Sequence, residues 1–168
     1  MERILWNKLL RLNVTCTMKT HKLLAPVFAL VISSLPLVAQ SKPNFSGTWE
    51  LNTEKSDLGG APISKLTVQV EHKDPVLKYT ATGNAGGDDF SESETISTDG
   101  KPTTDSRGAQ VKAHWQGATL IIESTGPEAG ASDSSRLTLS ADGKTMTRDD
   151  DRTGNEGPQK RHELYNKK

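Results

Sequence analysis

The chain is 168 residues long, a length that fits one domain. Its first 39 residues hold five of the 21 basic and one of the 21 acidic residues, so residues 40–168 have a formal charge of −4 and do not suit nucleic acid or an anionic membrane surface as a partner. The single cysteine is Cys16, which excludes a disulfide, a cysteine nucleophile and a thiolate metal site from residues 40–168.

Residues 23–39 form an apolar run that begins after Lys22 and ends before a polar stretch. This arrangement is typical of a cleavable export signal, and the alternative is a permanent membrane anchor. Two prolines, Pro26 and Pro36, and a length close to that of the shortest membrane span favour the cleaved signal. We expect cleavage after Ala39 and no stable insertion in a membrane afterwards.

Met18 begins a conventional signal sequence, whereas a start at Met1 requires an unusually long leader. The sequence therefore predicts an N-terminal extension and signal peptide over 1–39, with Met18 as the true start, and a single domain over 40–168. An export signal combined with a cysteine-free exported part suits a bacterial protein. The predicted location is secreted or periplasmic.

The exported part begins with segments in which polar and apolar residues alternate. Gly47–Asn52 is the first predicted strand. The clearest alternation is Lys65–His72, followed by a turn at Lys73–Pro75 and a returning strand over 77–82. These two strands predict a β-hairpin.

The next stretch, Gly83–Asp89, is predicted to be a flexible tip. Phe90–Thr98 follows as a strand with two largely polar faces, which indicates an edge strand or a partly hydrated interior. Two similar pentapeptides, Ser97–Lys101 and Ser140–Lys144, place Asp-Gly between extended segments. Asp-Gly favours tight turns because both residues tolerate positive φ. Two β-turns are expected, without a domain duplication.

The remaining chain continues in short strands and turns. The predicted strands are Gln110–Trp115, Leu120–Glu123, Arg136–Ser140, Lys144–Arg148 and Arg161–Asn166, with loops at Gly126–Ser134 and Asp149–Gln159. The total of eight or nine short strands favours an all-β, antiparallel up-and-down barrel or a strongly curved sandwich. The residues expected to point inward are Trp49, Leu51, Leu66, Val68, Val70, Leu77, Tyr79, Val111, Ala113, Trp115, Leu120, Ile122, Leu137, Leu139, Met146 and Leu164.

The first strand contains Gly47-Thr48-Trp49, a Gly-x-Trp motif. The chain resembles the lipocalin and fatty-acid-binding superfamily, which carries this motif on its first strand. It is also similar to small exported bacterial proteins of unknown function that share this opening and a Trp-x-Gly-x-x-Leu hairpin, here Trp115 to Leu120. The resemblance implies a lipocalin-like, calycin-type β-barrel.

Within such a barrel, Gly47 and Trp49 have structural roles. Gly47 lets the chain pass close to the barrel floor, and Trp49 fills one end with a large apolar side chain. The resemblance also implies a late arginine packed over the tryptophan, and Arg136 and Arg148 are the candidates. A C-terminal helix of the lipocalin type is absent from the sequence pattern.

Catalytic and metal chemistry have little support in the sequence. His72, His114 and His162 have no partner at metal-ligand spacing. The run Asp149–Asp151 could bind calcium, but its spacing does not match an EF-hand loop and a solvated loop is favoured. No Gly-x-Ser-x-Gly nucleophile elbow occurs. We therefore predict no catalytic residue, no metal, no cofactor and no enzymatic activity.

Three functions remain open for an exported barrel. The first is a carrier for a small apolar or amphipathic ligand, with Tyr79 and Trp115 as the predicted ligand-binding residues, unless the barrel is filled by its own side chains. The second is an envelope interaction module that docks a protein or glycan through a strand edge or through the loops Gly83–Phe90 and Gly126–Ser134. The third is a hydrolase with an unrecognised site.

Overall fold

The computed structural model describes residues 41–126, 130–154 and 157–168. These residues form ten strands: β1 (Gly47–Leu51), β2 (Ile63–Lys73), β3 (Val76–Ala85), β4 (Asp88–Ser97), β5 (Pro102–Thr104), β6 (Gln110–Gln116), β7 (Thr119–Thr125), β8 (Ser132–Leu139), β9 (Thr145–Gly154) and β10 (Gly157–Lys167). The predicted signal peptide over 1–39 and its cleavage site lie outside the described residues. Within the described part, no helix is long and apolar enough to cross a membrane.

All ten strands belong to one antiparallel sheet, in the order β4-β3-β2-β1-β10-β9-β8-β7-β6-β5. The first and last strands pair, with Trp49 opposite Lys167. The two edge strands, β4 and β5, lie next to each other, and the backbone N–H and side-chain hydroxyl of Ser106 donate hydrogen bonds to Glu94 of β4. The sheet is a nearly closed barrel, which confirms the predicted all-β, up-and-down class with ten strands where eight or nine were expected.

Alternate residues of the strands point into the barrel and form its core. The buried core consists of Phe45, Trp49, Leu51, Leu66, Val70, Leu77, Ala81, Ile96, Val111, Ala113, Leu120, Met146 and Tyr165. The prediction that Leu164 points inward is wrong. The register of β10 places Tyr165 opposite Met146, so Glu163 and Tyr165 face the interior and are 2% and 1% exposed.

The β2–β3 hairpin is confirmed. Lys73 pairs with Val76, so that Asp74 and Pro75 form a two-residue turn, and the peptide bond between them is cis. The hairpin lies at the same end of the barrel as the start of β1, because Gly47 pairs with Val70.

The two similar pentapeptides make the same hydrogen bonds around their aspartates. Asp99 and Asp142 each accept hydrogen bonds on Oδ1 from the serine two residues before and from the backbone N–H two residues after. Gly100 and Gly143 follow with φ of 83° and 67°. The predicted β-turn at Ser140–Lys144 is confirmed, since the N–H of Gly143 donates to the Ser140 carbonyl. Residues 98–100 instead form a bend in which the N–H of Gly100 donates to the Ala113 carbonyl. The second pentapeptide joins β8 to β9 as a hairpin, whereas the first leads from β4 to β5, which lie at opposite ends of the strand order.

The prediction of a flexible tip over Gly83–Asp89 is wrong. Strand β3 continues to Ala85 and β4 starts at Asp88, so only Gly86 and Gly87 form the turn. Their φ values of 64° and 99° lie in the left-handed region that glycine tolerates.

The prediction of a polar loop over Asp149–Gln159 is also wrong, because β9 runs to Gly154 and β10 starts at Gly157. Neighbouring carboxylates of β9 repel one another, but basic side chains on β8 and β10 compensate their charges. Asp149 Oδ1 lies 2.6 Å from His162 Nδ1, and Asp151 lies 2.7 Å from Lys160 Nζ and 3.1 Å from Arg136 Nη1. Opposite charges on neighbouring strands favour the ladder.

Candidate functional site

The barrel interior contains a cavity of about 290 Å³. One side of it, which we name the apolar wall, consists of inward residues of β2 and β3: Leu66, Val68, Val70, Leu77, Tyr79 and Ala81. Another side, which we name the charged wall, consists of five ionic residues on the inward face of β8, β9 and β10: Asp133, Arg148, Arg152, Arg161 and Glu163. The cavity therefore offers one ligand both an apolar and a polar surface.

Arg148 occupies the centre of the charged wall. Its Nε lies 2.9 Å from Asp150 Oδ1, although Nε and Nη2 direct their hydrogen bonds to Ser135 Oγ at 3.3 and 3.1 Å. Its Nη1 lies 3.9 Å from Glu163 Oε2. Burial alone would lower the pKa of Arg148, but Asp150 and Glu163 outweigh that effect and raise it. The guanidinium is therefore charged at every physiological pH.

The two carboxylates around Arg148 are buried. Asp150 is 4% exposed, and this burial raises its pKa although Arg148 opposes the shift. Glu163 Oε2 accepts a hydrogen bond of 2.7 Å from the hydroxyl of Tyr165. Burial and the nearby Glu163 raise the pKa of Tyr165, so its phenol is neutral. Buried charges of this kind are tolerated only when they are paired.

The wall becomes more exposed towards the end of the barrel where β9 meets β10. There Asp133 Oδ2 accepts hydrogen bonds of 3.1 and 3.0 Å from Nε and Nη2 of Arg152. Arg161 also lines the cavity, and its buried Nε has no hydrogen-bond partner among the described residues.

A second group of ionic residues lies at the gap between the two edge strands, β4 and β5. Glu92 and Glu94 of β4 line the cavity together with Asp105 and Arg107 of the β5–β6 loop. Arg107 Nη2 lies 3.4 Å from Asp105 Oδ2. The sequence indicated that β4 is either an edge strand or part of a hydrated interior; it is an edge strand, and its Glu92 and Glu94 line the cavity.

Searches of protein-family models and of curated proteins return no match to this chain. Among solved structures, the zebrafish ileal bile acid-binding protein complexed with cholic acid matches with a TM-score of 0.51 and 12% sequence identity. The match covers 74% of this chain and 98% of that protein. The barrel has a calycin-like fold. At this identity the likeness concerns the fold alone, which is the part of the predicted lipocalin-like resemblance that the structure supports.

The two predicted ligand-binding residues lie in different places. Tyr79 is on the apolar wall, where burial and the nearby Glu92 raise the pKa of its phenol. Trp115 is not among the residues that line the cavity. Its ring lies 6.0 Å from that of Phe45 and 5.9 Å from that of His72, and these three rings form what we name the end cluster. Both residues remain predictions as ligand contacts.

The Gly-x-Trp motif is structural, as its chemistry suggested. Trp49 is fully buried, and its Nε1 donates a hydrogen bond of 2.9 Å to the backbone oxygen of Phe45. Gly47 has a φ of 142°, and a Cβ there would lie 2.6 Å from Cε of Lys167. The cation over the tryptophan is Lys167, whose Nζ is 5.1 Å from the ring centroid.

The arginines proposed for that position lie elsewhere. Arg148 belongs to the charged wall, and Arg136 forms an exposed ion pair with Asp151. The prediction that one of them covers Trp49 is wrong. The C-terminal strand β10 ends beside β1 and brings Lys167 to the tryptophan.

The remaining histidines and the run Asp149–Asp151 do not form a common site. His114 Nδ1 lies 3.9 Å from Glu123 Oε2, and His162 pairs with Asp149. Over the described ranges, no three His, Asp or Glu side chains converge as the ligands of a metal would.

The end cluster gives the fold a pH dependence. Phe45 N–H donates to His72 Nδ1 at 3.3 Å, which requires a neutral ring, and burial lowers the pKa of His72 from 6.5 while Asp74 opposes the shift. As the pH drops, His72 is therefore protonated in the unfolded chain before it is protonated in the folded protein. The free energy of unfolding falls as the pH drops through 6.5. This loss of stability stops once the pH is below the pKa that His72 has in the folded protein. Above that point it amounts to at most about 1.4 kcal/mol per pH unit.

We expect His72→Gln to reduce this slope in urea unfolding followed by tryptophan fluorescence between about pH 7 and pH 5. His114→Gln is the matched control, because its ring is outside the end cluster, and it should keep the wild-type slope. Equal slopes in the two variants would show that His72 does not carry the effect.

Proposed function

We propose that this protein is an exported, non-enzymatic carrier that binds one small amphipathic molecule inside its barrel. The observation that supports this most is the cavity of about 290 Å³ between an apolar wall and a charged wall. Ligand pockets commonly measure roughly 300 to 1,000 Å³ and combine an apolar lining with a few polar groups. A cavity just below that range suits a ligand with a short apolar body and one polar end.

The fold supports the same proposal. The zebrafish protein with a similar fold is a bile acid-binding protein complexed with cholic acid. Barrels of this size can hold a single small ligand or fill themselves with side chains. Here the side chains leave space, since core residues such as Leu66, Leu77 and Met146 border the cavity without filling it.

Three carboxylates in and beside the cavity are already paired within the protein, which favours binding over hydrolysis. Asp133 is held by Arg152, Asp150 is paired with Arg148, and Asp105 caps its own loop through the N–H groups of Arg107 and Ala109. A general acid and base must exchange protons with a substrate, whereas these groups are committed to intramolecular partners.

Native mass spectrometry tests the carrier function on the mature protein, residues 40–168, purified from the envelope of its own host. We expect a reproducible small-molecule adduct that is lost in Tyr79→Ala and kept in Thr80→Ala, since Thr80 is the outward neighbour on β3. Trp115→Ala shows whether the end cluster reaches the ligand. A clean apo mass in gentle conditions would overturn stable carriage.

Export has its own test. Cell fractionation with mass analysis should find a secreted or periplasmic protein that begins at Gln40. A protein that keeps residues 23–39 and sediments with membranes would instead indicate an anchor.

The interaction module is the second candidate, and the exposed edge strand β4 favours it. Ten residues long, β4 pairs with β3 on one side only, and an unpaired edge can accept a strand from a partner. An apo mass together with cross-linking of β4 to another envelope protein would support this function.

A further inference from the structure

We infer that the polar end of the ligand is positively charged, so that the barrel selects a cationic amphiphile over an anionic one of equal length. This inference rests on the proposed carrier function. It concerns the charge of the cavity, which the carrier function alone leaves open.

The ionic groups around the cavity carry a formal excess of negative charge. Five carboxylates and four guanidinium groups line the cavity. On the charged wall, three arginines face two carboxylates, Asp133 and Glu163, so the negative excess arises elsewhere. At the gap between the sheet edges, Glu92, Glu94 and Asp105 face Arg107 as the one basic residue among the lining side chains of that region. A cavity with more carboxylates than guanidinium groups repels an anion and attracts a cation, and the low dielectric of the interior strengthens both effects.

Three of the four guanidinium groups are already engaged. Arg148 contacts Asp150 and Ser135, Arg152 contacts Asp133, and Arg107 contacts Asp105. A ligand carboxylate would have to displace a carboxylate of the protein, and that displaced group would then be desolvated without a partner. An anion therefore gains little at these sites.

Arg161 is the exception, because its Nε has no hydrogen-bond partner among the described residues. Its position limits what it can attract. Asp150 is directly opposite in the β9–β10 ladder, and Glu163 lies two residues further on the same face of β10. An anion that approached Arg161 would also approach these two carboxylates.

The carboxylates keep unused capacity for a cation. Glu163 is buried but lies 3.9 Å from Arg148, beyond hydrogen-bond distance. Glu92 and Glu94 border the same cavity at the gap in the barrel. An ammonium group, with three donors and one charge, fits several acceptors of this kind.

The test is isothermal titration calorimetry of the delipidated, envelope-purified protein at neutral pH with decylammonium, 1-decanol and decanoate, each below its micelle concentration. The three probes share one chain and differ only in the polar group. We expect decylammonium to bind most tightly and decanoate most weakly, with at least about tenfold between them, or about 1.4 kcal/mol.

Variants assign the selectivity to the cavity. Glu92→Gln and Glu163→Gln should each lower the ratio of decylammonium to decanoate affinity by at least about threefold. Glu71→Gln makes the same change in protein charge on the outward face of β2 and should leave the ratio unchanged. Because Glu163 is buried and its variant could fail to fold, Glu92, which is exposed, gives the test independently.

The outcomes separate the two proposals. Decanoate binding as tightly as decylammonium, or an equal shift in Glu71→Gln, would overturn the charge selectivity and leave the carrier intact. Failure of all three probes to bind, combined with a clean apo mass for the envelope-purified protein, would overturn the carrier function and with it this inference.

Discussion

Replacing Trp49 with alanine is expected to lower the free energy of unfolding by about 4 kcal/mol, within the range known for buried tryptophan and phenylalanine truncations. Trp49 is fully buried in the core where β1 lies between β2 and β10. The substitution removes its packing, leaves a cavity and deprives the Phe45 carbonyl of its donor. It also removes the ring beneath Lys167. The first and last strands pair here, so the continuity of the sheet between β2 and β10 depends on this side chain.

Urea unfolding monitored by circular dichroism measures this loss, since the fluorescence of the protein changes with the substitution. Trp49→Phe is the control that keeps most of the ring volume and removes the Nε1 donor, and it should cost about 1 to 2 kcal/mol. A loss below about 1 kcal/mol for Trp49→Ala would mean that the sheet is continuous between β2 and β10 without the tryptophan.

The strands themselves were predictable from local patterns. Lys65–His72 alternates strictly because one face of β2 packs in the core and the other is solvated, and this pattern needs no knowledge of the partner strand. The Ser-x-Asp-Gly-Lys turn at Ser140–Lys144 was equally readable, since its hydrogen bonds lie within five residues. Local chemistry thus predicted the architecture and most of its turns.

The end of the β9–β10 hairpin was not predictable in this way. Asp149–Asp151 looks like a solvated loop when it is considered alone, because three adjacent carboxylates repel one another. Their partners Arg136, Lys160 and His162 are brought to them only by the pairing of β9 with β8 and β10. The short β5 was missed for a related reason, since three residues that begin with a proline carry no alternation.

The charged wall was missed because Asp133 and Arg152 fell in predicted loops, and Arg161 and Glu163 fell on the face opposite Leu164, which was expected to point inward. One signal was present in Met146, Arg148, Asp150 and Arg152, which occupy every second position and alternate in charge. The opposite charges in such a series can pair with one another inside a barrel as well as on its outer surface. Whether it points inward depends on the register of β9 against β10, which the sequence does not encode locally. For β10 the apolar Leu164 suggested the opposite face.

Arg148→Met is the second large effect that we expect. The apolar side chain fills a similar volume but leaves Asp150 and Glu163 buried without their shared guanidinium, and breaking a buried pair in this way costs about 3 to 5 kcal/mol. Urea unfolding at neutral pH measures the loss. Arg136→Met is the matched control on the outer face of β8, where the exposed ion pair with Asp151 should contribute no more than about 1 kcal/mol.

The pH dependence of the Arg148→Met variant distinguishes lost charge compensation from a packing defect. Without the guanidinium, burial holds the pKa of Asp150 still further above the ordinary value of 3.8. The folded state then binds a proton that the unfolded state does not, so protonation stabilises the fold as the pH falls from neutral towards 3.8. The stability deficit relative to wild type should therefore shrink in acid. A deficit that stays constant with pH would instead indicate that Arg148 acts through its aliphatic packing, and the charged wall would then be a consequence of the fold without an electrostatic role in it.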